Sequence, residues 1–166
     1  MQITDLPEID VVTVSHNHYD HLDIPSLKKL SKKNPKTLFL VPKGDQKLLN
    51  RKGIKNTREF LWWENIEIKG TKFTFTPTQH WSARGLADRN KSLWGGWFMS
   101  FPNFKSFHAG DSGYSKDFQD TQAKLGKPDL SLIPIGAYAP RWFMKANHVN
   151  PEAVSYTHLR AHETTL

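Results

Sequence analysis

Four side chains that could hold metal ions stand within six residues. His16-Asn17-His18-Tyr19-Asp20-His21 is an H-x-H-x-D-H motif, and it directly follows the β-branched apolar run of residues 9–15 (IDVVTVS). On an extended segment, residues two apart point the same way. His16 and His18 can therefore grip one ion, with Asp20 continuing on that side. A turn toward a helix near Pro25 would swing His21 round as a fourth donor. Imidazole nitrogens and carboxylate oxygens are natural zinc ligands, and four of them in so short a run suggest more than one ion. The competing reading is a chance cluster of loop histidines. The spacing, immediately after an apolar strand, favours ligands.

Two further candidates lie after other strands. His80 follows residues 72–76 (KFTFT), and Asp111 sits in residues 108–113 (HAGDSG). Taken alone, His80 could be a hydrogen-bonded strand-end histidine and Asp111 a turn residue. With the first cluster they form a repeated layout, ligands at strand ends along one edge of a layered sheet. His108 reads as a strand residue and not as a ligand.

The elements that must position these groups are legible in outline. Residues 9–15 and 37–41 (TLFLV) read as buried strands. Between them Asp23 offers an N-cap, Pro25 suits a first helical turn, and Leu27 and Leu30 form a short apolar stripe. Residues 44–52 read as a short helix closed by Gly53. Residues 66–76 hold two strands joined at Gly70-Thr71, the second alternating Phe73 and Phe75 with polar residues as if one face were buried. Two more strands, 93–101 and 105–108, flank Pro102-Asn103; residues 115–125 look helical, and 129–135 is the last clear strand. Strict βαβ alternation is not evident, and the class is α/β or α+β with layered sheets.

The 166 residues suit one domain. The formal charge is +7, from 23 Lys+Arg against 16 Asp+Glu, which favours anionic partners or marks a lysine-rich solvated face. Cysteine is absent, which excludes disulfides, thiol nucleophiles and cysteine-ligated zinc. No run is long and apolar enough to span a membrane. Residues 1–153 read as the domain proper, and residues 154–166 as a non-native tail that resembles a translated sequencing adapter. His158 and His162 in that tail are four apart and could face one way on a helix, but they are discounted as ligands for this reason.

The order H-x-H-x-D-H, then His, then G-D-S-G resembles the metallo-β-lactamase superfamily. The resemblance implies an αββα sandwich, α+β in class, with metals at one edge. It also implies that His16, His18 and His80 hold a first metal, that Asp20 and His21 hold part of a second, and that Asp111 bridges both. The paired Asp20-His21 is similar to the two-metal hydrolases and not to the true lactamases. Longer runs narrow the likeness. Residues 15–23 (SHNHYDHLD), 76–84 (TPTQHWSAR), 92–98 (SLWGGWF), 107–114 (FHAGDSGY) and 135–153 (IGAYAPRWFMKANHVNPEA) resemble the N-acyl-phosphatidylethanolamine-hydrolysing phospholipase D family and its bacterial relatives.

That resemblance implies two Zn2+ ions, or other divalent transition metals, and a phosphodiester lipid substrate. His148 matches a substrate-site histidine, and His148 or Asp20 would pass a proton to the leaving alkoxide. Tyr19 matches a substrate-contacting position, and Arg141 and Trp142, with Phe143, would stand at the mouth of the site. Of the other tryptophans, Trp62 and Trp63 could line an acyl groove, whereas Trp94 and Trp97 read as core on their strand. The family has earlier strands, and a His-Trp-Gly segment after the helix that Pro151 begins, that this chain does not match. The expectation is a domain incomplete at both ends, with an open sheet edge and a weakened second metal site. The rivals are a metal-dependent lactonase or phosphodiesterase of a small soluble phosphorylated substrate, a nuclease, and an inactive metal-binding fragment. No nucleic-acid partner is expected, for want of a basic exosite with stacking aromatics. The expected location is the cytoplasm or a membrane surface; oligomeric state is left open.

Overall fold

The computed structural model describes residues 2–159 and divides the chain into two compact units, Met1–Leu61 with Trp81–Trp94, and Trp62–His80 with Gly95–Leu166.

The first unit opens on a short 3-10 turn (Ile3–Asp5) and continues as β1 (Val11–Thr13), α1 (Ile24–Lys33), β2 (Leu38–Pro42), α2 (Gln46–Arg51) and β3 (Thr57–Phe60). The three strands pair in sequence order and all run parallel, with Val12 opposite Phe39 and Leu40 opposite Arg58. Parallel neighbours need crossover connections, and α1 and α2 supply them. This half is therefore a regular βαβαβ run, contrary to the expected lack of alternation. The discrepancy lies in β3: Thr-Arg-Glu-Phe is short and polar, and Phe60 alone is buried. Asp23 caps α1 as expected, its carboxylate accepting from Ser26 N at 3.0 Å, and the hydrogen bonds from Ser26 hold that carboxyl below its ordinary pKa. Asn34 ends the helix and ties back to Ile9 O. Val14, Leu22, Leu27, Phe39, Val41, Leu49 and Ile54 form the core, so loop, helices and central strand share one apolar cluster.

The second unit is a five-stranded sheet: β4 (Asn65–Ile68), β5 (Thr71–Thr76), β6 (Gly96–Phe101) and β7 (Phe104–His108) form an antiparallel meander. The helix α3 (Asp117–Leu125) then crosses over to β8 (Leu130–Leu132), parallel to β7. Lys69 and Gly70, both at positive φ, make the two-residue hairpin loop between Ile68 and Thr71, one residue earlier than expected. In β5 both Phe and Thr side chains are buried, so the Phe/Thr alternation does not mark a strand with one solvated face. Trp97 is wholly buried beside Phe75, as expected, but Trp94 precedes β6 and is half-buried. Phe98 and Phe107 pack with Phe118 and Leu125 of α3. Two short helices follow, α4 (Arg141–Met144) and α5 (Pro151–Leu159). The latter begins where the sequence suggested and runs across residue 154; residues 160–166 of the expected tail, His162 included, lie outside the described residues. Among the described residues no helix is long and apolar enough to cross a membrane.

Candidate metal centre

β1 stops at Thr13, and the chain runs on through a buried Ser15-His16-Asn17 before it turns. The turn closes on one carbonyl: His21 N and Leu22 N both donate to His18 O, at 3.1 and 2.8 Å. Leu22 is wholly buried and pins the far end of the loop. This geometry brings His16, His18 and His21 together. His16 Nε2 lies 2.9 Å from His18 Nδ1, and the His16 and His21 ring centroids are 4.1 Å apart. Two imidazole nitrogens this close could both reach one cation standing beside them, not between them. Asp20 does not continue the extended alternation, because the chain has already turned at His18. Its side chain is 78% exposed and its carboxylate sits 3.6 Å from His21 Nε2.

Ser15 was not anticipated. Its hydroxyl lies 3.1 Å from His16 Nδ1 and 3.4 Å from His21 Nδ1, on the ring nitrogens away from the His16–His18 contact in the case of His16. Such partners orient metal-ligating imidazoles. Trp81 packs its ring 4.2 Å from that of His18.

The second unit assembles a group of its own from His80, Asp111 and His148, whose ligand-type atoms all lie within 4.8 Å of one another. His80 follows β5, as expected, and its side chain is almost fully buried. Its Nδ1 is 3.1 Å from Asn147 O. A carbonyl can only accept, so Nδ1 carries a proton. His80 Nε2 lies 3.8 Å from Asp111 Oδ2, and His148 Nδ1 lies 4.0 Å from the same oxygen. A histidine that gives one nitrogen to a carbonyl and turns the other toward a carboxylate is oriented as metal-ligating histidines are.

The loop holding Asp111 is fixed by its neighbours. Gly110, at φ 62°, turns the chain after β7, and Ala109 N bonds Leu132 O. Gln79 and Gly113 form an isolated antiparallel bridge, and Gln79 N also donates to Ser112 Oγ. The segment carrying His148 is laid against this loop by Val149 N to Ser112 O at 2.8 Å and by Gln79 Nε2 to Ala146 O at 2.6 Å. His108 ends β7 as a paired strand residue, in line with the sequence reading.

The proposed substrate residues are placed as follows. Arg141 Nη1 donates to His148 O at 2.7 Å, so this side chain helps to shape the His148 loop. Trp142 and Phe143 on α4 are exposed, Trp142 to 80%. Tyr19 is also exposed, with the Arg84 guanidinium 4.0 Å above its ring. Trp62 is at the surface, and Trp63 is half-buried under Lys124.

A family model described as "Beta-lactamase superfamily domain" matches residues 2–166. N-acyl-phosphatidylethanolamine-hydrolyzing phospholipase D 1 of Caenorhabditis elegans is 41% identical over 168 residues, covering 95% of this chain and 47% of that protein. The mitochondrial N-acyl-phosphatidylethanolamine-hydrolyzing phospholipase D of Saccharomyces cerevisiae is 42% identical over 160 residues, covering 92% of this chain and 34% of that one. The chain thus spans less than half the length of these relatives. Among solved structures, an isothiocyanate hydrolase from Delia radicum gut bacteria superimposes with a TM-score of 0.73 at 20% identity, over 99% of this chain and 63% of that one. The fold is that of the metallo-β-lactamases, and the chain belongs to the beta-lactamase superfamily.

Proposed function

We propose that this chain is the metal-binding part of a zinc-dependent phosphodiesterase of the phospholipase D type, acting on N-acyl-phosphatidylethanolamine-like lipids. The observation that carries this reading is the 41–42% identity to two proteins named for that activity. The ligand assignment is the one the motif order implies. His16, His18 and His80 hold a first ion, Asp20 and His21 hold part of a second, and Asp111 serves both. The facing nitrogens of His16 and His18, and the grouping of His80 with Asp111, support it. Divalent ions in such a site supply Lewis-acid polarisation of a phosphoryl oxygen and a nucleophile at neutral pH.

The chain's own side chains do the rest. As a water oxygen bonds to phosphorus and the bond from phosphorus to the N-acylethanolamine oxygen breaks, His148 or Asp20 would give a proton to the departing alkoxide. Phosphatidic acid is the other product. Trp142 and Phe143 offer apolar contact to an acyl chain or membrane surface, and the net charge of +7 favours an anionic one.

The test is incubation of the zinc-loaded protein with N-acyl-phosphatidylethanolamine in mixed micelles and with a soluble phosphodiester, with N-acylethanolamine read by mass spectrometry. Zinc-dependent release, faster from micelles, is expected. Faster turnover of the soluble ester would sink the lipid assignment, and full activity after complete metal removal would sink the metal assignment.

A further inference from the structure

The loop that carries His16, His18 and His21 is tied within itself by the two amides on His18 O and by the Ser15 hydroxyl against His16 and His21. Arg84 adds a hold from outside the loop, on its backbone carbonyls. Both hydrogens of Arg84 Nη1 are used on the loop, one donated to Asn17 O and one to Leu22 O, each at 2.9 Å. The same guanidinium has its central carbon 4.0 Å from the centre of the Tyr19 ring. One planar group thus binds the loop on both sides of its turn and covers the residue between.

Arg84 is itself anchored. Its backbone N–H donates to both carboxylate oxygens of Asp88 at 3.1 Å, and Gly85 N donates to one of them at 2.8 Å. Asn17 is fixed independently, its amide donating to the buried Asp45 at 3.0 Å. The residues that alternate with the histidines, Asn17 and Tyr19, line a cavity of about 590 Å3 together with Arg84, Asp45 and Asp88. The brace therefore works on the residues between the ligands.

We propose that Arg84 is a positioning residue for the H-x-H-x-D-H loop, setting the spacing of the His16 and His18 imidazoles without touching a ligand nitrogen. This deepens the metal-site reading above and rests on it. Lysine is a poor substitute, because an ammonium has no planar face to lay on Tyr19 while it bonds two carbonyls.

The test uses Arg84→Met and Arg84→Lys in the full chain. In metal-free protein, hydrogen–deuterium exchange of residues 17–22 should rise in Arg84→Met while β2 keeps its protection. Zinc affinity, read by competition with a chromophoric chelator, should fall by about 10- to 100-fold, the range seen when outer-shell partners of metal ligands are removed. The visible absorption of the cobalt-substituted protein should change, and Arg84→Lys should recover only part of each effect. Zinc affinity within twofold of the parent, with unchanged exchange at residues 17–22, would overturn the proposal. Faster exchange spread equally over β2 would also overturn it, because Arg84 would then be holding the fold and not the loop. If the parent itself binds no zinc, the metal reading fails, and the exchange arm still decides whether Arg84 orders the loop. If Arg84→Met does not fold, Arg84→Lys is read by the same three measures.

Discussion

Asp111 Oδ2 is approached by His80 Nε2 at 3.8 Å and by His148 Nδ1 at 4.0 Å, so one carboxylate oxygen lies near two imidazoles. A carboxylate serving two cations removes their mutual repulsion. Asp111→Asn should therefore cut turnover by roughly a hundredfold or more, beyond the loss typical of outer-shell partners. Trp63→Ala, at a site under Lys124, should cost far less; similar losses would make Asp111 a turn residue. His148 is argued to serve substrate, so His148→Asn should lower turnover and leave zinc content near that of the parent. Loss of an ion on elemental analysis would make it a ligand. Asp45 makes a separate prediction. Burial pushes its carboxyl up to about 6, with Glu59 adding to the rise and Ser92, Asn17 and Arg84 opposing it. The folded state thus binds the proton more tightly than the unfolded one. No penalty exists at low pH; it grows as pH rises from about 4 and is complete above about 6, where it amounts to about 3 kcal/mol. Asp45→Asn removes the charge and keeps an acceptor for Asn17. Its stability relative to the parent, by chemical denaturation, should rise between pH 4 and 7; a flat difference would mean the carboxyl titrates normally.

Among the elements, the bridge from the end of β5 to the Asp111 loop carries the most consequence. Gly113 donates to Gln79 O at 2.8 Å, and a Cβ placed on it would stand 2.4 Å from Ala146 O. The contact is with backbone, so no side chain can swing aside. Gly113→Ala should push residues 146–149 away and separate His148 from Asp111, with a stability loss of about 1–3 kcal/mol, typical of overpacking. Denaturant titration checks the loss, and the His148 ring resonances report the displacement. A variant with parental stability and unchanged resonances would show that the two segments are not tightly apposed.

For the whole molecule, metal binding and folding should be linked. The proposed ligands come from positions as far apart as 16 and 111, so an unfolded chain cannot present the set. Zinc at a hundred times its dissociation constant should stabilise the chain by about 2.7 kcal/mol, or roughly 5–10 °C in melting temperature. A chelator should reverse the shift. A melting temperature indifferent to zinc and chelator would argue against a site formed only in the folded state.

The sequence alone determined the H-x-H-x-D-H run, the histidine after β5 and the aspartate after β7, because each depends on spacing within a few residues and on an adjacent strand of clear pattern. It likewise determined α1, through Asp23 and Pro25, and the existence of the strands β5, β6 and β7, but not their antiparallel pairing. It missed β3, whose polar side chains carry no period, and it ran the extended alternation one step too far at Asp20. Only the tertiary structure decided which distant groups support the proposed ligands. The carbonyl of Asn147 orients the His80 ring from 67 residues away, and Arg84 bonds Asn17 across the same separation. It also decided that Asp45 is buried. These are long-range contacts made by backbone carbonyls and single side chains, and a carbonyl is present at every position; nothing local in the sequence distinguishes the one that will be used.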